Sequence, residues 1–358
     1  MSEKERGSSE KFVKWFSELS KKDIAIAGGK GASLAEMYNS KFPVPPGFVV
    51  TVSAYKYFME KSGILSNIDN LLKGLDIEDT KNLESVTKKL REIISSADMP
   101  KEMSEEILEA YDVLDVTKKN FMNAKKGALD ILKNSHEPVF VAVRSSATTE
   151  DLVDASFAGQ QESFLNVKGK SELLQKIKDC FASLYTARAV YYRQKKGFSN
   201  DKALLSAVVQ KMIDSEKSGV MFSKSPTEEN DNIVIEAVYG LGEGIVSGMI
   251  NPDNYAVSGS LEKILSVKVA NKKIAIVRNA AGKNQIVKLS EEKSNRQVLS
   301  NYEIKILAQY AKRLEEHYKK PQDIEFAISE NEVYIVQSRP ITVFFKDDKN
   351  RRKLTGEI

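Results

Sequence analysis

Val139-Phe140-Val141-Ala142-Val143-Arg144-Ser145-Ser146-Ala147-Thr148-Thr149-Glu150-Asp151 is the stretch on which the reading of this chain turns. Its first five residues are apolar, mostly β-branched, and bounded by Pro138 and Arg144, the pattern of a short buried strand. An arginine ending such a strand then meets four hydroxyl residues within five positions, a composition suited to phosphate oxygens. The run Ala155-Ser156-Phe157-Ala158-Gly159-Gln160-Gln161-Glu162-Ser163 continues small and polar. A loop of that length with no apolar stripe of its own is usually functional or disordered, and function is the preferred reading.

Working outward, the periodicity alternates between helix and strand. Phe12, Trp15, Phe16 and Leu19 recur at helical spacing. The apolar run Ile24-Ala25-Ile26 leads into Gly28-Gly29-Lys30-Gly31, and a helix follows from Ala32 through Leu34, Met37 and Tyr38. Pro43-Val44-Pro45-Pro46-Gly47 breaks that helix, Phe48–Thr51 reads as a strand, and residues 53–134 read as helices with solvated Lys/Glu faces. Beyond the central stretch, Ser163–Val167 alternates as a strand and a long helix carries Leu173, Ile177, Phe181, Leu184 and Tyr191. Short strands then take over: Leu204–Met212, Gly219–Phe222, Ile233–Val238, Tyr255–Val257, Ile264–Val269 and Ile274–Val277. A last helix holds Ile304, Leu307, Ala311 and Leu314, and the strands Asp323–Ile328 and Val333–Gln337 close the pattern around a turn at Ser329–Glu332. The fold class is therefore α+β. Residues 1–199 form a helical and sheet lobe, 200–345 a strand-rich second lobe, and 346–358 a charged tail or a linker cut short.

Composition narrows the function. The 358 residues carry a net charge of +4, with 41% hydrophobic and 29% charged side chains, an ordinary globular balance too weakly basic to argue for nucleic acid. One cysteine, Cys180, excludes an intramolecular disulfide and a cysteine-based metal site, and a reducing cytoplasm is the natural compartment. No targeting segment appears at the charged start, and the apolar runs fall far short of the ~20 residues that a membrane span needs. Of the two histidines, His136 sits in a turn and His317 late in a helix, so nucleophile–base catalysis and a zinc centre are both poorly supported.

Phosphate chemistry fares better. Gly28–Gly31 places backbone N–H groups and the Lys30 ammonium at a helix start, although without the Ser or Thr that follows the lysine of a Walker A loop. Gly240-Leu241-Gly242-Glu243-Gly244 follows a strand but lacks the dinucleotide spacing. On a strand, Asp323 and Glu325 share a face, and a hairpin would bring Gln337 across from it with Arg339 close by. Hard oxygen donors beside a guanidinium suit Mg²⁺ and a polyphosphate.

Taken together and in order, these segments resemble one family. Gly28–Met37 (GGKGASLAEM), Val44–Thr51 (VPPGFVVT), Val143–Asp151, Asp154–Val167 (DASFAGQQESFLNV), Ser218–Ser223 (SGVMFS), Tyr239–Gly248 (YGLGEGIVSG), Asn251–Asp253 and Asp323–Pro340 are similar to the nucleotide-binding domain of phosphoenolpyruvate synthase (pyruvate, water dikinase), also present in pyruvate phosphate dikinase and rifampin phosphotransferase. The resemblance covers about Phe12 to Thr342 and implies a two-lobed, ATP-grasp-like fold that binds Mg·ATP. It implies Lys30, Arg144 and Arg339 as the catalytic cations on the phosphates, Gly159 and Ser163 in a loop over them, and Gln210 near adenine. Glu325 and Gln337 would hold Mg²⁺, with Asp323 in support.

The activity implied is transfer of the β-phosphoryl of ATP to a histidine on a separate domain, which passes it on to pyruvate. No Thr-Ser-His-Ala-like motif occurs in these 358 residues. The expected partners are thus phosphohistidine and pyruvate-binding domains on another chain or on a further C-terminal part, and the chain reads as a split subunit or a piece of a longer product. A rifampin-phosphotransferase-like donor and a non-catalytic nucleotide-binding module are the alternatives. The latter has no need to keep Lys30, Arg144, Glu325, Gln337 and Arg339 together.

Overall fold

The computed structural model describes residues 11–114, 138–148, 162–197, 203–227, 230–279 and 281–341. Chain contacts divide the protein into two compact units, one of residues 1–40 and 46–212, the other of 41–45 and 213–358. The divide expected near residue 200 therefore falls at 212. The strand Leu205–Lys211 belongs to the first unit because it is hydrogen-bonded on both sides within that unit's sheet.

That sheet has five strands, β1 (Val13–Trp15), β2 (Gly47–Val50), β3 (Val141–Ala147), β4 (Ser163–Val167) and β5 (Leu205–Lys211), in the order β1-β2-β5-β3-β4. Every adjacent pair is antiparallel. Pairing Val13 with Val50 and Trp15 with Phe48 draws the Phe12–Leu19 segment into a strand and a 3₁₀ turn (Phe16–Glu18), against its helical spacing. The described helices are α1 (Ile24–Asn39), α2 (Val52–Lys61), α3 (Leu65–Leu72), α4 (Thr80–Ser96), α5 (Lys101–Val113), α6 (Lys170–Ala182) and α7 (Ala187–Lys195). The single helix expected from Leu173 to Tyr191 is broken at Ser183–Tyr185 by a 3₁₀ turn, and Thr186 caps the new start by accepting from the Ala189 N–H.

Strand alternation sorts the two faces of this sheet. Phe48, Val50, Val141, Val143, Ala147, Leu205, Ala207 and Val209 point into one apolar core with Phe58, Leu90, Ile94, Met103, Ile107, Ile177 and Phe181 from the helices. Phe58 and Phe181 are fully buried with rings 5.6 Å apart, and each contributes roughly 1.5–3 kcal/mol of burial free energy. The opposite face carries Val49, Ala142, Arg144, Ser146, Ser206, Val208 and Gln210. Here α1 packs, a Cβ built on Gly31 lying 3.2 Å from a Val49 methyl and 3.5 Å from a Val208 methyl.

The second unit holds a six-stranded antiparallel sheet in the order β13-β12-β6-β7-β8-β9. Its strands are β6 (Lys217–Phe222), β7 (Ile233–Tyr239), β8 (Asp253–Val257), β9 (Ile264–Lys268), β12 (Gln322–Ser329) and β13 (Glu332–Pro340). A separate hairpin joins β10 (Ile274–Arg278) to β11 (Asn284–Lys288), a strand that the sequence reading does not contain. Two short helices, α8 (Glu243–Val246) and α9 (Glu291–Ser294), precede α10 (Asn301–Tyr318).

Ser300 and Glu303 start α10 with reciprocal cap hydrogen bonds, and Ile304, Leu307, Ala308, Ala311 and Leu314 face the sheet and are buried. Beneath the loop after α8, the wholly buried Lys272 ammonium bonds the Asp253 carboxylate. Asp253 also accepts from the Ala270 and Val298 N–H groups and from the Tyr255 hydroxyl, so that both of its oxygens are used. Among the described residues no helix is long and apolar enough to cross a membrane.

Candidate functional site

In the first unit the glycine cluster opens a helix as read, and Gly28 separates that helix from a short helical turn before it. Ile24–Ala27 is already helical, and Gly28 interrupts α1 at φ 65° and ψ 176°. A side chain is excluded there, because a Cβ would stand 2.3 Å from the Ser146 carbonyl oxygen. The interruption presses on β3, where the Ser146 hydroxyl donates to the Ala27 carbonyl at 2.9 Å and accepts from the Gly31 N–H at 3.2 Å. Lys30, inside this knot, donates from Nζ to the Ser145 carbonyl at 3.3 Å.

Arg144 does not end its strand as expected. Pairing of Ser145 with Ala207, Ser146 with Ser206 and Ala147 with Leu205 carries β3 three residues further. The hydroxyl run is correspondingly divided. Ser145 and Ser146 are fully buried, and Ser145 Oγ donates to the Glu162 carbonyl at 3.1 Å, so these two groups serve the fold. Arg144 lies directly across from Ser163 at the exposed start of β4, so the two side chains share a face with one another and with Ser146. Gln210 is on that same face of β5, opposite Ala142, and almost wholly buried. Lys30, Arg144 and Ser163 thus gather at one stretch of β3, with Gln210 farther along the sheet. Gly159, Thr149 and His136 lie outside the described residues.

In the second unit the hairpin forms as read. Glu330 and Asn331 both have positive φ (51° and 64°) and make a two-residue turn between Ser329 and Glu332. Glu325 stands directly opposite Gln337, and Asp323 opposite Arg339. A bulge makes this possible. Phe326 pairs with Ile335, so Val336 is an extra residue on β13. Without it, Gln337 and Arg339 would alternate onto the α10 side with the buried Ile335. The bulge turns them instead onto the face of Glu325. Arg339 donates from Nε to Asp323 Oδ2 at 2.8 Å, its Nη2 also 2.8 Å from that oxygen, so Asp323 orients the guanidinium.

Cross-strand register extends this row. Glu325 lies opposite Val220, Val220 opposite Glu236, and Glu236 opposite Asn254, all half-buried on the face away from α10. Glu236 is the residue that sequence reasoning misses. Period-2 alternation in Ile233–Val238 puts its side chain opposite Ile235, but only the pairing of β6 with β7 brings it into the row of Glu325, two strands away with Val220 between them. Burial pushes its carboxyl above the usual range. No hydrogen bond or ion pair of its side chain occurs among the described residues.

The donor set of this face fits a hard divalent ion. No group of three or more His, Cys, Asp or Glu side chains suited to a metal occurs among the described residues. One carboxylate and one amide oxygen in register are instead what Mg²⁺ uses when phosphate and water complete its octahedron.

The family model of the pyruvate phosphate dikinase AMP/ATP-binding domain matches residues 24–356. A probable phosphoenolpyruvate synthase of Methanocaldococcus jannaschii is 43% identical over 354 residues, covering 99% of this chain and 28% of that protein. One of Archaeoglobus fulgidus is 45% identical over 345 residues, covering 96% and 43%. The phosphoenolpyruvate synthase of Pyrococcus furiosus is 43% identical over 373 residues, covering 93% and 44%. The chain thus spans less than half the length of these curated relatives. With nearly its whole length matched, the chain belongs to the family of pyruvate phosphate dikinase AMP/ATP-binding domains.

Proposed function

We propose that this chain binds Mg·ATP and is the phosphoryl-donating part of a phosphoenolpyruvate-forming pyruvate, water dikinase in the cytoplasm. Lys30 and Arg144 contact the nucleotide phosphates, with Gly159 and Ser163 beside them and Gln210 toward the adenine. Glu325 and Gln337 hold Mg²⁺, and Arg339, oriented by Asp323, reaches the phosphates. The observation that carries this reading is the in-register, half-buried pair of Glu325 and Gln337 on one sheet face, in a chain matched over residues 24–356 by the AMP/ATP-binding family.

When bound, Mg²⁺ supplies charge neutralisation on the transferring group, and the cationic side chains orient and share that charge. The β-phosphoryl passes to a histidine carried on a domain outside these residues, which delivers it to pyruvate. Without that histidine the chain turns over no pyruvate by itself.

Calorimetric titration with ATP, with and without Mg²⁺, tests the binding. The expected result is Mg-dependent binding that Lys30→Ala weakens. Metal-independent binding removes Glu325 and Gln337 from the reading. With a phosphohistidine domain supplied, Glu325→Gln abolishes phosphoryl transfer, and unchanged transfer takes Glu325 out of the metal role.

A further inference from the structure

We propose that Ser146 is a positioning residue for Lys30, its single hydroxyl closing the break in α1 from which the lysine projects. This rests on the reading that Lys30 contacts the nucleotide phosphates.

A helix broken at one residue leaves a carbonyl on the near side and N–H groups on the far side without their usual partners. At Gly28 both sides are met by one group. Ser146 Oγ gives its proton to the Ala27 carbonyl at 2.9 Å and takes the Gly31 N–H at 3.2 Å. Lys30 lies between these two anchors. Its ammonium in turn reaches the carbonyl of Ser145, the neighbour of Ser146 on β3, at 3.3 Å. The backbone origin of the lysine and its charged end are therefore both met by neighbouring residues of one strand. A four-carbon stem has wide rotamer freedom, so a small shift of its origin moves the ammonium by ångströms.

The neighbouring hydroxyl supplies a control. Ser206, paired with Ser146 across β5 and equally buried, has its Oγ 2.6 Å from the Ala27 carbonyl and 3.2 Å from the Ser146 carbonyl. It serves the near side of the break, and the Gly31 N–H is held by Ser146. Removing either hydroxyl deletes the same number of atoms from the same buried place, but only one deletion frees the start of the Lys30 segment.

A double-mutant cycle on Mg·ATP affinity, read by calorimetry on the whole chain, separates positioning from packing. Ser146→Ala is expected to weaken Mg·ATP binding roughly five- to ten-fold, the equivalent of one hydrogen bond. In a Lys30→Ala background the same change should have little further effect. Adenosine, which has no phosphates, should bind both proteins alike. Ser206→Ala should lower the melting temperature while leaving Mg·ATP affinity in place.

Additive losses in the cycle, an equal affinity loss in Ser206→Ala, or a matching loss for adenosine overturn the role of Ser146. An Mg·ATP affinity untouched by Lys30→Ala overturns the reading of Lys30 itself, a result distinct from the others. Should Ser146→Ala melt below the temperature of measurement, Ser146→Cys keeps a weak donor in place, and the same cycle run on it is decided by the same outcomes.

Discussion

The polar groups around Lys30 and those around Glu325 are held in opposite ways. In the first unit Ser146, Ser206, Ala27 and Gly31 satisfy one another inside the protein, with both serines fully buried. In the second unit Glu325, Gln337 and Glu236 lie half-buried in one row of an antiparallel sheet, and the Arg339–Asp323 pair beside them reaches solvent, with the arginine side chain 59% exposed. The first arrangement is closed among buried protein groups. The second gathers carboxylates whose natural complement is a cation. A closed polar cluster defines geometry, because leaving any member unpaired is costly. An open one is free to exchange its partners as a ligand arrives.

The sharpest test of what closure contributes lies at Asp253. Lys272→Met keeps the side-chain volume near its own but strands a carboxylate that is fully buried in the native protein. The expected loss is about 3–5 kcal/mol in urea unfolding, because removing one member of a buried pair leaves the other uncompensated. Arg339→Met, which breaks a pair reaching solvent, should change stability by less than about 1 kcal/mol. Similar losses for the two variants would erase the distinction between closed and open clusters.

Gly28→Ala tests the closed cluster of the first unit. The new methyl meets the Ser146 carbonyl oxygen at 2.3 Å, and the backbone there is left-handed. Roughly 2–3 kcal/mol of stability should be lost, with a weakened Mg·ATP affinity as Lys30 shifts. A variant of unchanged stability would mean that the break in α1 relaxes freely and that Ser146 holds nothing in place.

Sequence alone reaches much of this, and its failures share a cause. The Glu330–Asn331 turn and most strands of both sheets are legible because short-range alternation and turn chemistry determine them. Val13–Trp15 departs from its helical spacing since its partner β2 lies over thirty residues away, and long-range pairing outweighs the spacing of four aromatic and aliphatic side chains. Composition points Ser145 and Ser146 toward phosphate, yet β3 continues through them because β5 pairs there. Glu236 is invisible for the same reason: its place in the row of Glu325, with Val220 between them, is a property of the order β12-β6-β7 and of no local pattern. The Val336 bulge is equally hidden, although it is what lets Gln337 face Glu325 at all.

The smallest expected effects distinguish two glutamates of the second unit by the sign of their pH dependence. Burial acts to raise the Glu303 carboxyl, but Lys217, at 2.7 Å, and the Ser300 N–H and hydroxyl outweigh it and leave the group below its usual range. A lowered folded value contributes stability that is present above the ordinary carboxylate range and is lost as pH falls through the folded value. Glu303→Gln should therefore cost about 1–2 kcal/mol at neutral pH and flatten the acid limb of a stability–pH curve.

Glu236 runs the other way. Burial raises its folded value above the unfolded one, so the folded chain binds its proton more tightly and stability falls as pH rises through that window. Glu236→Gln should then stabilise the chain at neutral pH, by less than about 1 kcal/mol, and the gain should vanish on the acid side of the carboxylate range. Thermal unfolding of both variants from acid to neutral pH reads the two signs directly. A loss of stability at neutral pH in Glu236→Gln would mean that this carboxylate already has its complement in the ligand-free protein, and the contrast between an open row and a closed knot would fail at its open end.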